Sequence, residues 1–343
     1  MGELFPIRKG RIILEQGWKK KWARFLVAAA ILFGVYKGME PDRKFNMSRE
    51  YAPNDIQQEF IKLSAQRHKY VAFGNTKHSY PEIAHFAYDQ KTVRALEQGG
   101  SENYIFETKP SDQSKITALQ QGNLSEYDYA ENSSWLCSNE ARKSLNATFN
   151  QSAKKYNNIR FIAADKRKDG GMKDLGLGPY DAMVLVRSIL VYNKIYGCMG
   201  PKALVMPLIL TLGTFNSQSL FSGGLTDDTA TSDYIGSYPG KSAIFYGAGH
   251  FQARPGIKSM RNLLPVDGKT ITVINIFRDA GQKQESDELD RSTENELGKA
   301  QPPDAVLYVT PPPGNPDGIE VISPEAAATY RQAKENLRNL AIN

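Results

Sequence analysis

Only four histidines occur among the 343 residues, and two of them share a local setting. His78 ends the stretch Tyr70-Val71-Ala72-Phe73-Gly74-Asn75-Thr76-Lys77-His78, and His250 ends Ala243-Ile244-Phe245-Tyr246-Gly247-Ala248-Gly249-His250. Each is a short apolar run, a glycine turn and then an imidazole. Imidazole exchanges protons near neutral pH and ligates zinc-type metals. Short apolar runs of this kind read as buried strands of a parallel sheet, and ligand crevices form outside the carboxyl ends of such strands. Two carboxylates have the same placement: Glu107 follows Asn103-Tyr104-Ile105-Phe106, and Asp165 follows the run 159–163. Four strand ends therefore present His78, Glu107, Asp165 and His250, a set able to act as acid, base and ligand. Glu82 and His85 are three apart on a helix expected to start at Pro81 and so share one of its faces. His78, Glu82, Glu107 and His250 are the candidate catalytic residues. His78, Glu107 and His250 are the candidate ligands of a divalent metal such as zinc, manganese or cobalt. His85 is read as a packing residue on its helix.

The elements that must position these groups follow from pattern and punctuation. Helical spacing of Ile56, Phe60, Ile61 and Leu63 predicts a helix over 55–66, and strands are expected over 69–73, 103–107 and 159–163. Pro81 suits the first turn of a helix running to about Glu97 and stopped by Gly99-Gly100. Helices are also expected over 111–121 and 141–156, and a C-terminal one over 324–340 with Ser323 as its cap. Later strands fall at 242–246, 270–277 and 305–309, the segment 222–240 reads as a loop, and the polar segment 279–303 as an exposed excursion. Alternation of strand and helix predicts an α/β protein with a mostly parallel sheet and flanking helices. The apolar segments 181–196 and 201–215 are ambiguous between helix and strand.

The net charge of +6 sits mostly at the N-terminus, where the first 24 residues carry seven basic and two acidic side chains. The rest of the chain is near neutral, so the basic balance gives no reason to expect nucleic-acid binding. Lys19 to Lys21 and Arg24 precede an apolar run from Phe25 to Tyr36. That run is shorter than the about 20 residues of a full span. Yet no clear small-x-small cleavage site precedes Glu40, and Trp22 and Tyr36 suit the two interfaces. The expected organisation is a basic cytoplasmic tail (1–24), a signal anchor or signal-peptide core (25–39), a linker (40–53) and a single α/β domain (54–343) on the extracytoplasmic side. Cys137 and Cys198 could pair there or remain free thiols. No Gly-x-Ser-x-Gly elbow occurs, which argues against a serine hydrolase of that type.

Four of these features, in order, resemble the superfamily that joins erythromycin esterases, ChaN-like haem-binding lipoproteins and TraB/Tiki proteins. Gly74, His78 and Glu82 keep the spacing of the esterase motif Gly-Glu-x-x-His with its later glutamate. The strand ending at Glu107, with a short helix and Gly122 after it, matches a second feature. The strand 159–163 ahead of Asp165 matches a third, and Phe245 to His250 a late strand-Gly-x-Gly-His. Arg254, Gly256 and Ile257 resemble the stretch that follows in ChaN and TraB relatives. The resemblance covers roughly 69–308. It implies a paired-repeat esterase/ChaN-like architecture, and it adds Asp165 and Arg254 as cofactor-contacting residues. One departure matters: where esterase relatives carry glutamate after the first glycine, this chain has Asn75. An amide cannot serve as a general base.

Two functions follow. One is a membrane-anchored hydrolase of an amide or ester bond, acting on a small-molecule or peptide substrate, with or without a metal. The other is a non-catalytic protein on the same scaffold that binds haem or another hydrophobic ligand, or a partner. Retention of His78, Glu82, Glu107, Asp165 and His250 favours the first, and Asn75 favours the second.

Overall fold

Runs rich in β-branched and aromatic residues become strands because their side chains fill both sides of a pleated surface. The computed structural model describes residues 46, 49–76, 80–132, 139–165, 228–256, 258–264 and 271–342. Among these, β1 (Tyr70–Asn75), β2 (Ser101–Phe106), β3 (Arg160–Ala163), β4 (Lys241–Gly247), β5 (Ile271–Phe277), β6 (Ala305–Tyr308) and β7 (Ile319–Val321) form one sheet of order β3-β2-β4-β1-β5-β6-β7. Every neighbouring pair is parallel except β6 and β7. All six strands expected from the sequence form. The three-residue antiparallel β7 was too short to show a period.

The helices are α1 (Asp55–Arg67), α2 (Pro81–Tyr88), α3 (Gln90–Gln98), α4 (Gln113–Gln120), α5 (Tyr129–Asn132), α6 (Asn139–Lys155), α7 (Thr229–Gly236), α8 (Met260–Leu263), α9 (Ala280–Leu297) and α10 (Pro324–Ile342). Asn54 and Gln57 start α1 with reciprocal side-chain bonds. The helix expected from Pro81 to about Glu97 is two helices, because Asp89 adopts extended backbone and its carboxylate accepts the Lys91 N–H at 2.8 Å. The polar segment expected to be an excursion is mostly α9. Its N-cap Asp279 accepts the Gln282 N–H at 2.9 Å, and Gly298 ends it at φ 79°. Caps and helix-forming Gln, Glu and Lys residues make α9, not an apolar stripe.

Successive strand residues point to opposite faces. Val71, Phe73, Phe106, Phe161 and Phe245 lie on one face, in a core completed by α1, α2, α3, α4, α6 and α10. Ala72, Ile105, Ile162, Ile244 and Tyr246 lie on the other, packed with Ile235 of α7, Phe251 and Met260 of α8. On the first face Tyr88 makes ring contacts with Tyr104, Phe106, Tyr129, Phe149 and Phe245. Its hydroxyl bonds that of Tyr129 at 2.9 Å. This knot fixes the end of β2, from which Glu107 follows directly.

β4 lies between β1 and β2. The chain leaves β1 across the first face towards β2, and leaves β4 across the second face towards β5. The carboxyl ends of β1 and β4 are thus a topological switch point, where open α/β sheets place their ligand crevice. There Asn75 of β1 stands level with Gly247 of β4. Among the described residues no helix is long and apolar enough to cross a membrane. The expected anchor at 25–39 and both cysteines lie outside the described residues.

Candidate functional site

β4 ends in a 3-10 turn, Ala248–Phe251, that turns His250 back over the sheet edge. His250 is buried, its side chain 9% exposed, and the imidazole is held between two carboxylates. Nδ1 lies 2.8 Å from Asp228 Oδ1, and Nε2 faces Glu107 Oε1 at 3.7 Å. Asp228 is wholly buried and occupies the N-cap position of α7, yet its side chain does not cap that helix. It turns to the imidazole instead, and its Oδ2 has no hydrogen-bond partner among the described residues. A carboxylate only accepts hydrogen bonds, so Nδ1 carries the proton and Nε2 is the atom left to exchange one. Tyr246, two residues inside β4, sets its ring edge-on to the imidazole at 5.7 Å between centroids.

Glu107 is placed from the neighbouring strand. Its Oε2 accepts the Gly247 N–H at 3.0 Å, which locks the carboxylate against the turn and aims Oε1 at His250. A water molecule or substrate hydroxyl in reach of both Nε2 and Oε1 would meet a base backed by a buried carboxylate, with a second carboxylate to orient it. That is the equipment of general acid–base chemistry.

The structure brings together two of the four candidate catalytic residues, His250 and Glu107. His78 lies outside the described residues. Glu82, at the first turn of α2, is half-buried in the field of Arg278 and Tyr51. Asp165 follows β3, one strand beyond Glu107, and its N–H donates to Thr108 O at 2.9 Å. Arg254 is committed elsewhere: its guanidinium donates to Asp290 of α9 and to the Gly298 carbonyl, each at 3.0 Å. His85 packs against α6, with Nδ1 2.8 Å from Thr148 Oγ1, and burial lowers its pKa to about 4. Asn75 is 4% exposed at the end of β1.

Sequence reasoning missed Asp228. It sits in the segment read as a loop, and the Asp-Asp-Thr triplet at 227–229 signals only a helix start. Among the described residues no group of three or more His, Cys, Asp or Glu side chains is placed to hold a metal ion. His250 Nε2 and Glu107 offer two donors at this point, one fewer than the three protein ligands of an open zinc site. A groove of about 520 Å³ opens beside the same turn, bordered by Ala248 and Phe251, with Val273, Phe277 and Val306 among its apolar lining and α9 along one side.

No known protein family matches the sequence, and no curated protein does. Two solved structures are similar at low identity. The type III effector HopBA1 is 14% identical, with a TM-score of 0.33, over 70% of this chain and 87% of that one. ChaN of Campylobacter jejuni, whose structure shows cofacial heme binding, is 13% identical, with a TM-score of 0.37, over 64% of this chain and 85% of that one.

Proposed function

We propose that this chain is a hydrolase of ester or amide bonds in which His250 is the general base and acid, Asp228 holds and charges it, and Glu107 places the attacking water. The observation that carries this reading is the Asp228–His250–Glu107 alignment, 2.8 Å on one side of the imidazole and 3.7 Å on the other. A histidine serving only to pack needs no wholly buried carboxylate with an unpartnered oxygen behind it, because burying such a group costs folding free energy that packing does not return. Asn75 cannot be a base, and Glu107 supplies the carboxylate that position lacks. The esterase resemblance implies a part for His78 and Glu82 as well. If a divalent metal binds, His250 Nε2 and Glu107 would be two of its ligands with His78 as the third. It would polarise the carbonyl and the water, and Asp228 would orient the liganding imidazole. The basic flank and apolar run at the N-terminus support a body anchored outside the cytoplasm.

The test is turnover of a panel of p-nitrophenyl esters and peptide amides by the full-length chain and by His250→Ala. Hydrolysis lost in the variant at an unchanged melting temperature supports the reading. A panel left untouched by the wild-type chain, with and without added zinc, manganese or cobalt, overturns it.

The groove beside Phe251 favours a second reading, a ligand-binding protein of the same architecture without catalysis. Its volume is that of a small-molecule site. An absorbance titration with haem tests the ligand class. A Soret shift that saturates at one or two equivalents supports binding, and an unchanged free-haem spectrum rejects haem.

A further inference from the structure

Arg278 follows directly on β5, the strand beside β1, at the same sheet edge as the candidate site. Its backbone is tied down, and its guanidinium is fixed from two directions. It lies over the Tyr80 ring, 4.3 Å from the centroid. Its Nε donates to Asp279 Oδ2 at 2.7 Å. Its backbone N–H donates to Gln282 Oε1, while Gln282 Nε2 donates to Thr76 Oγ1 at 2.8 Å and Thr76 Oγ1 donates to Ile276 O at 2.7 Å. Gln282 thus ties together the ends of β1 and β5 and the start of α9. The side chain is 18% exposed, yet neither Nη1 nor Nη2 meets a hydrogen-bond acceptor among the described residues, and neither is sealed from solvent. A stacked, pre-oriented guanidinium with its two terminal nitrogens unused is built for bidentate recognition of an oxyanion. It also stands at the N-terminus of the 18-residue α9, whose dipole favours negative charge.

Resting on the hydrolase reading, we infer that Arg278 is an anion-binding subsite, and that the substrate carries a carboxylate or phosphate group that docks on Nη1 and Nη2 while its scissile bond lies at His250. Burial opposes the charge of the guanidinium, but Tyr80, Asp279 and Glu82 together outweigh it, and Asp279 leaves the Nη pair open because its other oxygen caps Gln282.

Two measurements on the full-length chain test this. In the first, succinate and inorganic phosphate are titrated at constant ionic strength, and the melting temperature is followed in wild type, Arg278→Gln and Arg278→Lys. Stabilisation of wild type that needs at least tenfold more anion in Arg278→Gln, with Arg278→Lys between, supports the site, and the more effective anion names the group. Equal responses, or none, overturn it. The melting temperature without anion identifies any variant that fails to fold, and Tyr80→Leu then replaces it as the probe. In the second, 4-nitrophenyl acetate is compared with mono-4-nitrophenyl succinate. A preference for the charged ester that falls at least tenfold in Arg278→Gln, through KM, supports the subsite, and an unchanged ratio overturns it. Arg278-dependent anion binding without turnover of either ester removes the hydrolase reading and leaves the subsite. Turnover of both esters with no dependence on Arg278 does the reverse.

Discussion

Asp228 Oδ1 lies 2.8 Å from His250 Nδ1, across 22 residues of sequence and at zero exposure of the carboxylate. This contact decides which imidazole nitrogen is reactive. Asp228→Asn keeps the volume but can present an amide N–H to Nδ1, which moves the proton to Nε2 and removes the base. The expected loss in kcat is about 10²–10⁴-fold with little change in KM. Steady-state kinetics of the variant, with far-ultraviolet circular dichroism to show an intact fold, checks it. A variant within threefold of wild type would remove Asp228 from the chemistry.

Glu107 has two tasks that a single substitution can separate. Its Oε2 accepts the Gly247 N–H, and its Oε1 faces Nε2. In Glu107→Gln the side-chain carbonyl still accepts from Gly247, so the turn survives, while the negative charge beside the imidazole is gone. A kcat lower by about 10²-fold, at a melting temperature within a few degrees of wild type, is expected. Glu107→Ala loses the turn anchor as well and should also unfold at lower temperature.

His85 makes stability depend on pH, and the sign is fixed by its burial. Desolvation lowers its pKa from 6.5 to about 4, so between those values the unfolded chain binds a proton that the folded chain refuses. The stabilisation is therefore complete above pH 6.5 and is lost as the pH falls towards 4. It amounts to on the order of 3 kcal/mol. Urea unfolding of wild type and His85→Gln at pH 7.5, 5.5 and 4.5 measures it. The variant should lose less stability on acidification, and parallel curves would show that His85 is not the group responsible.

The sheet was legible because short apolar runs between polar or turn-forming residues are what a strand covered on both faces requires: glycine or proline brackets β2, β4, β5 and β6, Gly74 marks the end of β1, and Asn157-Asn158 and Asp165 bracket β3. Three of the strand-end groups, Glu107, Asp165 and His250, follow β2, β3 and β4, and the order that makes these three strands neighbours could not be read from the sequence. What stayed hidden depends on tertiary contacts. Asp228 looks like a helix cap in sequence, and only the fold turns its side chain to His250. Arg278 carries no motif, and its role depends on Tyr80, nearly two hundred residues earlier. The helix α9 was missed because nearly all its side chains are polar, so no apolar period marks it; its start is set by one carboxylate at Asp279.

Gly74 tests whether the switch point tolerates any filling. A Cβ at this position would lie 2.2 Å from Asn275 Oδ1 and 3.1 Å and 3.2 Å from the Cβ and Cα of Ala248. The first neighbour is the end of a side chain, but the other two are the Cβ and Cα of Ala248 in the turn that carries His250, so relief must come partly from moving that turn. Gly74→Ala is expected to cost about 1–3 kcal/mol of stability and to lower kcat more than its melting temperature alone explains. Adding Asn275→Ala removes the closest clash and leaves the one with Ala248. The double variant should therefore regain stability while kcat stays low, and the cycle of single and double variants should show coupling of at least about 0.5 kcal/mol. Recovery of both quantities together would mean that the Ala248 contact relaxes without displacing His250.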